Sequence, residues 1–395
     1  MDLENLDKWA KIKGIKVLGT GDFTHPEWFK NLKEKLEPVE AGLFKLKNSV
    51  SETRFLLTVE ISCIYSKNNR VRRVHILIFA PSFTAVEKIN AHLDWIGNLK
   101  ADGRPILGLD AKELTKIVLD ASEDCLVIPA HAWTPWFAIF GSKSGFDSIE
   151  ECFDEYTKYI YAIETGLSSD PAMNWRLSAL DKITLISNSD SHSLAKIGRE
   201  ANVFDTEISY PAIAEAIKTK DPSKFLYTVE FFPEEGKYHY DGHRVCGVSF
   251  HPSESKKYNN ICPKCGKILT IGVLSRVEEL ADRPVGYRPE NAIPFKSLIP
   301  LEEVIAGALG TLTDTKRGKE EYRNLIEKFG NEFKVLLEAS FNDLERFTLP
   351  EIAESILKVR EGKTNIEPGY DGVYGKIKIF SEDEQKISSK QKTLF

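Results

Sequence analysis

The chain has 395 residues, of which 42% are hydrophobic and 28% charged, with a formal net charge of −6. That is long enough for two or three domains with a sizeable core, and no run of 18 or more apolar residues is present to cross a membrane. A negative total argues against coating nucleic acid by charge alone, but bound divalent cations would offset it, and some of the acidic residues are themselves candidate ligands.

The N-terminus, MDLENLDKWAKIKG, places Leu3, Leu6, Trp9 and Ala10 on one helical face. It has neither the basic region nor the apolar run of a signal peptide, so a cytoplasmic protein is expected. Up to about residue 225, short apolar runs alternate with helical stretches such as 81–99, 111–120 and 148–161, the signature of a parallel α/β architecture. The runs VLGTGDFTH, LLTVEIS, RVHILIF, CLVIPAHAW, YAIETG and ITLISNSDSH carry Asp22, His25, Glu60, His75, His131, Glu164, Asp190 and His192. Strands that deliver imidazoles and carboxylates from one rim can surround several ions, because hard oxygen and borderline nitrogen donors must converge from several directions. One such histidine is ordinarily a rim or core residue; the repetition points to a multi-metal site. Glu164 fits a ligand, a carboxylate that orients an imidazole, or a solvated strand end.

Cys63, Cys125 and Cys152 stand singly in apolar or helical surroundings and read as buried thiols. Residues 226–268 form a second unit. His243-x2-Cys246, fifteen intervening residues and Cys262-x2-Cys265 give four ligands in two knuckles, a structural zinc pattern. His239 and His251 compete for the fourth position, and His243 is favoured because its spacing to Cys246 mirrors the second knuckle. Residues 269–375 suggest a mixed domain with amphipathic helices, including TKRGKEEYRNLIEKFG and LPEIAESILKVREGK. Gly362-Lys363-Thr364 lacks the earlier glycine of a phosphate-binding loop and reads as a surface turn. Local basic groups are Arg70, Arg72 and Arg73, and Arg283, Arg288 and Lys296.

The segments KWAKIKGIKVLGTGDFTHPEWF, PAHAWTPWF, ISNSDSHSLAKIGREANVF, KYHYDGHRVCGVSFHP, NICPKCGKILTIGVLSRVEELADRP and GYRPENAIPF resemble, in order and content, the endonuclease Q branch of the PHP (polymerase and histidinol phosphatase) superfamily. The resemblance covers about residues 1–375. It implies an α/β fold built on a PHP-type distorted (β/α)7 barrel over 1–225, then the zinc unit, a mixed helical DNA-binding domain over 269–375 and a tail over 376–395. The family's first strand carries His-x-His, and none stands near the start of this chain. A truncated start is therefore expected, with fewer metal ligands than the family norm.

The resemblance further implies a DNA-repair endonuclease that hydrolyses the phosphodiester 5′ to uracil, hypoxanthine, xanthine or an abasic site. Zn²⁺, Mg²⁺ or Mn²⁺ ions, bridged by Glu60 and Asp190, would activate water and clamp the phosphoryl group. His75, His131 and His192 would complete the ligand set, with Asp22 and His25 as ligands or proton acceptor. Trp133 and Trp136 place aromatic area where a splayed base could stack, and Arg283 and Arg288 are candidate DNA contacts. The end of the tail, Gln391, Leu394 and Phe395, resembles the start of a binding box for the sliding clamp PCNA, without its paired aromatics. The alternatives are a PHP phosphatase acting on a small phosphate monoester and a non-catalytic DNA- or clamp-binding scaffold.

Overall fold

A computed structural model describes residues 1–101 and 103–379. Asn68 and Asn69 have φ of +54° and +57°, the left-handed geometry that a two-residue hairpin turn requires. They join the long strands Arg54–Lys67 and Arg70–Ala80, which pair antiparallel from Lys67↔Arg70 to Leu57↔Ala80. This hairpin is the spine of a seven-stranded sheet. Val17–Gly19 and Ile106–Leu107 run parallel to its first strand, and Leu126–Pro129 runs antiparallel to its second. Ala162–Glu164 and Thr184–Ile186 form a separate parallel pair. The α/β class is as expected, but the sheet is mixed. Two apolar runs joined by two residues have no room for the crossover helix that parallel strands need.

Both faces of the sheet are buried. On one side Ile61, Cys63, Ile76 and Ile78 meet the apolar stripes of helices Phe83–Leu93 and Ala111–Ala121, through Val86, Ile89, Leu114 and Val118. On the other, Leu56, Ile128, Ala162 and Ile186 gather a second cluster with the helix Tyr210–Thr219. The stretch after His192 makes the short turn Leu194–Lys196, and Gly198, at φ +76°, leads into the strand Ala201–Phe204.

A third core joins helices Leu301–Leu309, Lys316–Phe329 and Pro350–Arg360 through Val304, Leu325, Ile352 and Ile356. The strand Phe225–Glu230, at the expected boundary, pairs with both Ala201–Phe204 and Phe295–Ser297 and so ties this part to the first. Helix Val273–Leu280 sends Val273 and Val277 into the first core. A buried ion pair, Lys13 Nζ to Glu332 Oε2 at 2.6 Å, fastens the N-terminal helix Leu3–Lys13 to the third core. Gly362 turns left-handed at the end of Pro350–Arg360, consistent with a surface turn. No helix among the described residues is long and apolar enough to cross a membrane. Gln391, Leu394 and Phe395 lie outside the described residues.

Candidate metal centres

Strand alternation sets Val59, Ile61 and Cys63 toward the main core and Glu60 toward the opposite face. His75 does the same on the neighbouring strand, one diagonal step away, since Glu60 is opposite Leu77 and Ser62 opposite His75. His131 follows Leu126–Pro129, and Ala130 N donates to His75 O at 3.0 Å, which brings the three side chains together. Glu60 Oε1 lies 3.0 Å from His75 Nδ1 and 3.2 Å from His131 Nε2, and the two ring nitrogens are 3.0 Å apart. Arg104 Nη1 also bonds Glu60 Oε1 and stands 3.0 Å from His75 Nδ1.

One carboxylate oxygen thus serves three nitrogens. Burial works to raise the Glu60 pKa, but the bonds from His131 and His75 overcome it and hold the carboxyl well below its usual range. Burial pushes His75 down to about 4, so its imidazole is neutral. His131 is pulled down by burial and raised on balance by Glu60. Two imidazoles and a carboxylate converging on one point suit a cation of mixed nitrogen and oxygen preference. Such donors take a cation in their deprotonated forms, so loading the site would compete with protons.

Glu164 is not in this ligand set. It is 3% exposed, and both its oxygens are used: Oε2 accepts from His131 N at 2.8 Å and Oε1 from Asn188 Nδ2 at 2.9 Å. The first of these bonds holds the His131 turn, where φ is +30°. Burial pushes its pKa up to about 7. Thr134 Oγ1 meets His131 Nδ1 at 3.0 Å and orients the ring. Asp22 and His25 are joined by a turn, His25 N to Asp22 O at 2.9 Å, and His25 opens the helix Pro26–Lys35. Asp22 is accessible at the rim, yet the protein around it, with Glu60's charge, raises its pKa. Asp190 has φ +40° and His192 is largely exposed, with Nδ1 at 3.0 Å from Asp190 O. These four are outside the group of three whose ligand atoms all lie within 4.8 Å of one another. Sequence reasoning missed Arg104, Thr134, Gly166 and Asn188. Asn188 and Gly166, each two residues from a named carboxylate, carried a faint signal; Arg104, in an aperiodic loop, carried none.

His243, Cys246, Cys262 and Cys265 form the second cluster. Cys265 Sγ is 3.6 Å from His243 Nδ1, and a thiolate and an imidazole on one tetrahedral zinc lie about 3.6 Å apart. Gly266, at φ +74°, closes the second knuckle with its N–H on Cys262 O at 2.9 Å. The competing histidines are placed elsewhere: His239 is buried beside Tyr240, and His251 Nδ1 meets Ser253 Oγ at 2.9 Å. Asp241 anchors the unit, accepting from Gly272 N at 2.7 Å and Ser275 Oγ at 2.6 Å. The three remaining cysteines are buried free thiols, as expected.

Among the candidate DNA contacts, Trp133 requires correction. It is fully buried and its indole N–H donates to Asn174 Oδ1 at 2.7 Å, so it has no face to offer a base. Trp136 is 36% exposed, edge-on to Tyr238 at 5.5 Å. Arg283 is committed to Asp181 through two bonds of 2.7 and 2.6 Å, and Arg72 is 7% exposed against Phe146. Arg288 is exposed, with its guanidinium 5.6 Å from the Trp175 ring centre.

A mixed α/β fold with an imidazole–carboxylate cluster inside one domain and a separate Cys3His cluster defines a protein built around two candidate metal centres. Residues 300–363 match the family described as the MJ0043 C-terminal domain. The chain is 36% identical over 255 residues to the uncharacterized protein MJ0043 of Methanocaldococcus jannaschii, covering 62% of this chain and 31% of that protein, so the match spans about a third of MJ0043. It is 32% identical over 382 residues to the uncharacterized protein YqxK of Bacillus subtilis, covering 93% and 90%. The lesion-specific endonuclease Q of Pyrococcus furiosus superposes with a TM-score of 0.85 at 29% identity, over 98% of this chain and 94% of that one. An endonuclease Q in complex with a 27-mer duplex carrying an abasic lesion at its active site gives 0.84 at 30%, over 98% and 93%. The chain belongs to the endonuclease Q family.

Proposed function

We propose that this protein is a metal-dependent DNA-repair endonuclease that hydrolyses the phosphodiester 5′ to deaminated bases (uracil, hypoxanthine, xanthine) and abasic sites. The convergence of Glu60, His75 and His131 carries the reading, supported by the likeness over nearly the whole chain to an endonuclease Q bound to abasic DNA. Glu60, His75 and His131 would hold the ions, with Asp190, His192, Asp22 and His25 as further donors around them. Bound Mg²⁺, Mn²⁺ or Zn²⁺ supplies Lewis acidity and a water of lowered pKa. Asp22, its pKa raised by burial and by Glu60, would take up a proton at the rim in this reading. Glu164 and Thr134 keep His131 in one orientation.

Trp136, exposed against the half-buried Tyr238, and Arg288 are the DNA contacts in this reading, and the Cys3His unit is a structural zinc site. The PCNA contact through Gln391, Leu394 and Phe395 remains part of the proposal and rests on sequence alone. The test incubates the protein with Mn²⁺ or Mg²⁺ and uracil, hypoxanthine or abasic duplexes, alongside a generic phosphomonoester. Lesion-dependent nicking, lost in His131→Ala, is the expected result. Hydrolysis of the monoester alone favours a phosphatase, and neither activity favours a scaffold.

A further inference from the structure

Two arginines of this protein spend their donors on structure. Arg276, 8% exposed on its side chain, bonds Phe140 O, Phe146 O and Asp147. Arg360 spreads three nitrogens over the carbonyls of Val335, Leu336 and Ala339. Arg104 behaves differently. Only its Nη1 is engaged, on Glu60 Oε1 and 3.0 Å from His75 Nδ1. Nε and Nη2 make no bond among the described residues, and the side chain is 30% exposed.

We propose that Arg104 binds the phosphoryl oxygens of the substrate at the Glu60–His75–His131 cluster, a reading that rests on the phosphodiester chemistry inferred above. Its backbone is fixed for this purpose. Ser62 N donates to Pro105 O at 2.9 Å, and Ile106–Leu107 pairs with Ser62 and Cys63, so the arginine is mounted on the strand that carries Glu60. A guanidinium stays charged at any working pH, and its planar fork matches two oxygens of a phosphoryl group. With Glu60 and His75 engaged as donors to an ion, Nη1 would be released from its present partners. The whole fork would then be available to an anion beside the cluster, where negative charge would grow on the non-bridging oxygens during hydrolysis. The aperiodic loop and the absence of any motif around Arg104 explain why the sequence did not mark it.

The test uses the full chain loaded with Mn²⁺, as wild type, Arg104→Ala and Arg104→Lys. Three quantities are measured: bound manganese, inorganic phosphate affinity by calorimetry, and the single-turnover rate of nicking an abasic duplex. Arg104→Ala should keep its manganese, bind phosphate at least about tenfold more weakly and nick about 100-fold more slowly. Arg104→Lys, a point charge without the fork, should recover part of both. Unchanged phosphate affinity, no phosphate binding by wild type, or loss of manganese in step with phosphate overturns the assignment. Wild-type protein that binds phosphate but nicks no DNA defeats the endonuclease reading alone, and the phosphate arm still decides on Arg104.

Discussion

A Cβ on Gly166 would lie 2.6 Å from Cβ of His131 and 2.8 Å from its Cα, and Gly166 has φ +62°. The glycine is therefore a spacer that lets the residue two positions after Glu164 pass directly under a histidine of the candidate metal cluster. Gly166→Ala must shift the His131 turn, and a misplacement of about 1 Å costs about 100-fold in rate. Nicking should fall by about that factor while circular dichroism at 25 °C stays native. A variant with full activity would show that the turn can give way without moving the ring.

The Cys3His unit has a small apolar cluster of Val248, Cys262 and Leu269, too little to fold on hydrophobic burial. Cys262→Ala and Cys265→Ala should each release one zinc per chain, measured by elemental analysis, and lower the melting temperature. Because Asp241 ties this unit to the helix Val273–Leu280, which packs on the first core, the loss should spread beyond the knuckles. Hydrogen exchange should then rise at 273–280 as well.

How much of this was legible in the sequence depends on whether the signal was periodic or chemical. The knuckles were readable because a tetrahedral metal site asks for ligand type and spacing together, and Glu60, His75 and His131 because they interrupt apolar runs. Strand direction was not. The alternation of runs and helices suggested parallel pairing, and only the Asn68–Asn69 turn, left-handed at both residues, betrays the hairpin. Aromatics were harder still: Trp133 and Trp136 share one short motif, and composition cannot say which of them reaches solvent. Arg104 and Gly166 act through contacts made by tertiary packing, which leave no local pattern.

Glu200 and Glu230 predict a pH dependence of stability. Burial raises both, Glu230 to about 8, and Glu200 well above its usual range with Glu230's charge adding to the effect. Glu200 Oε2 and Glu230 Oε1 have no hydrogen-bond partner. The folded state therefore keeps protons that the unfolded chain releases near its ordinary carboxyl pKa of about 4.3. The stability they contribute is fully present below that pKa and is lost as pH rises through about 8. The melting temperature should fall by several degrees between pH 5 and pH 8.5, by about 2–4 °C for each kcal/mol. Glu230→Gln keeps an acceptor for Thr165 Oγ1 and should flatten the profile. An equal slope in this variant would place the titration elsewhere.

Trp133 and Trp136 give opposite predictions from one motif. Trp133 is fully buried, packs on Phe140 at 4.8 Å and bonds Asn174, so Trp133→Ala should cost about 3–5 kcal/mol of stability and lower activity only through loss of folded protein. Trp136 lies at the surface against Tyr238 and contributes little to the core. Trp136→Ala should leave the melting temperature within about 2 °C, since exposed positions are near neutral. It should weaken binding of an abasic duplex by about 1–3 kcal/mol, the value of one base–aromatic stack. Trp136→Phe should restore much of that affinity. Fluorescence anisotropy with labelled duplex at fixed salt measures it. Affinity unchanged in Trp136→Ala would remove the aromatic platform from the DNA-binding surface and leave Arg288 to carry it.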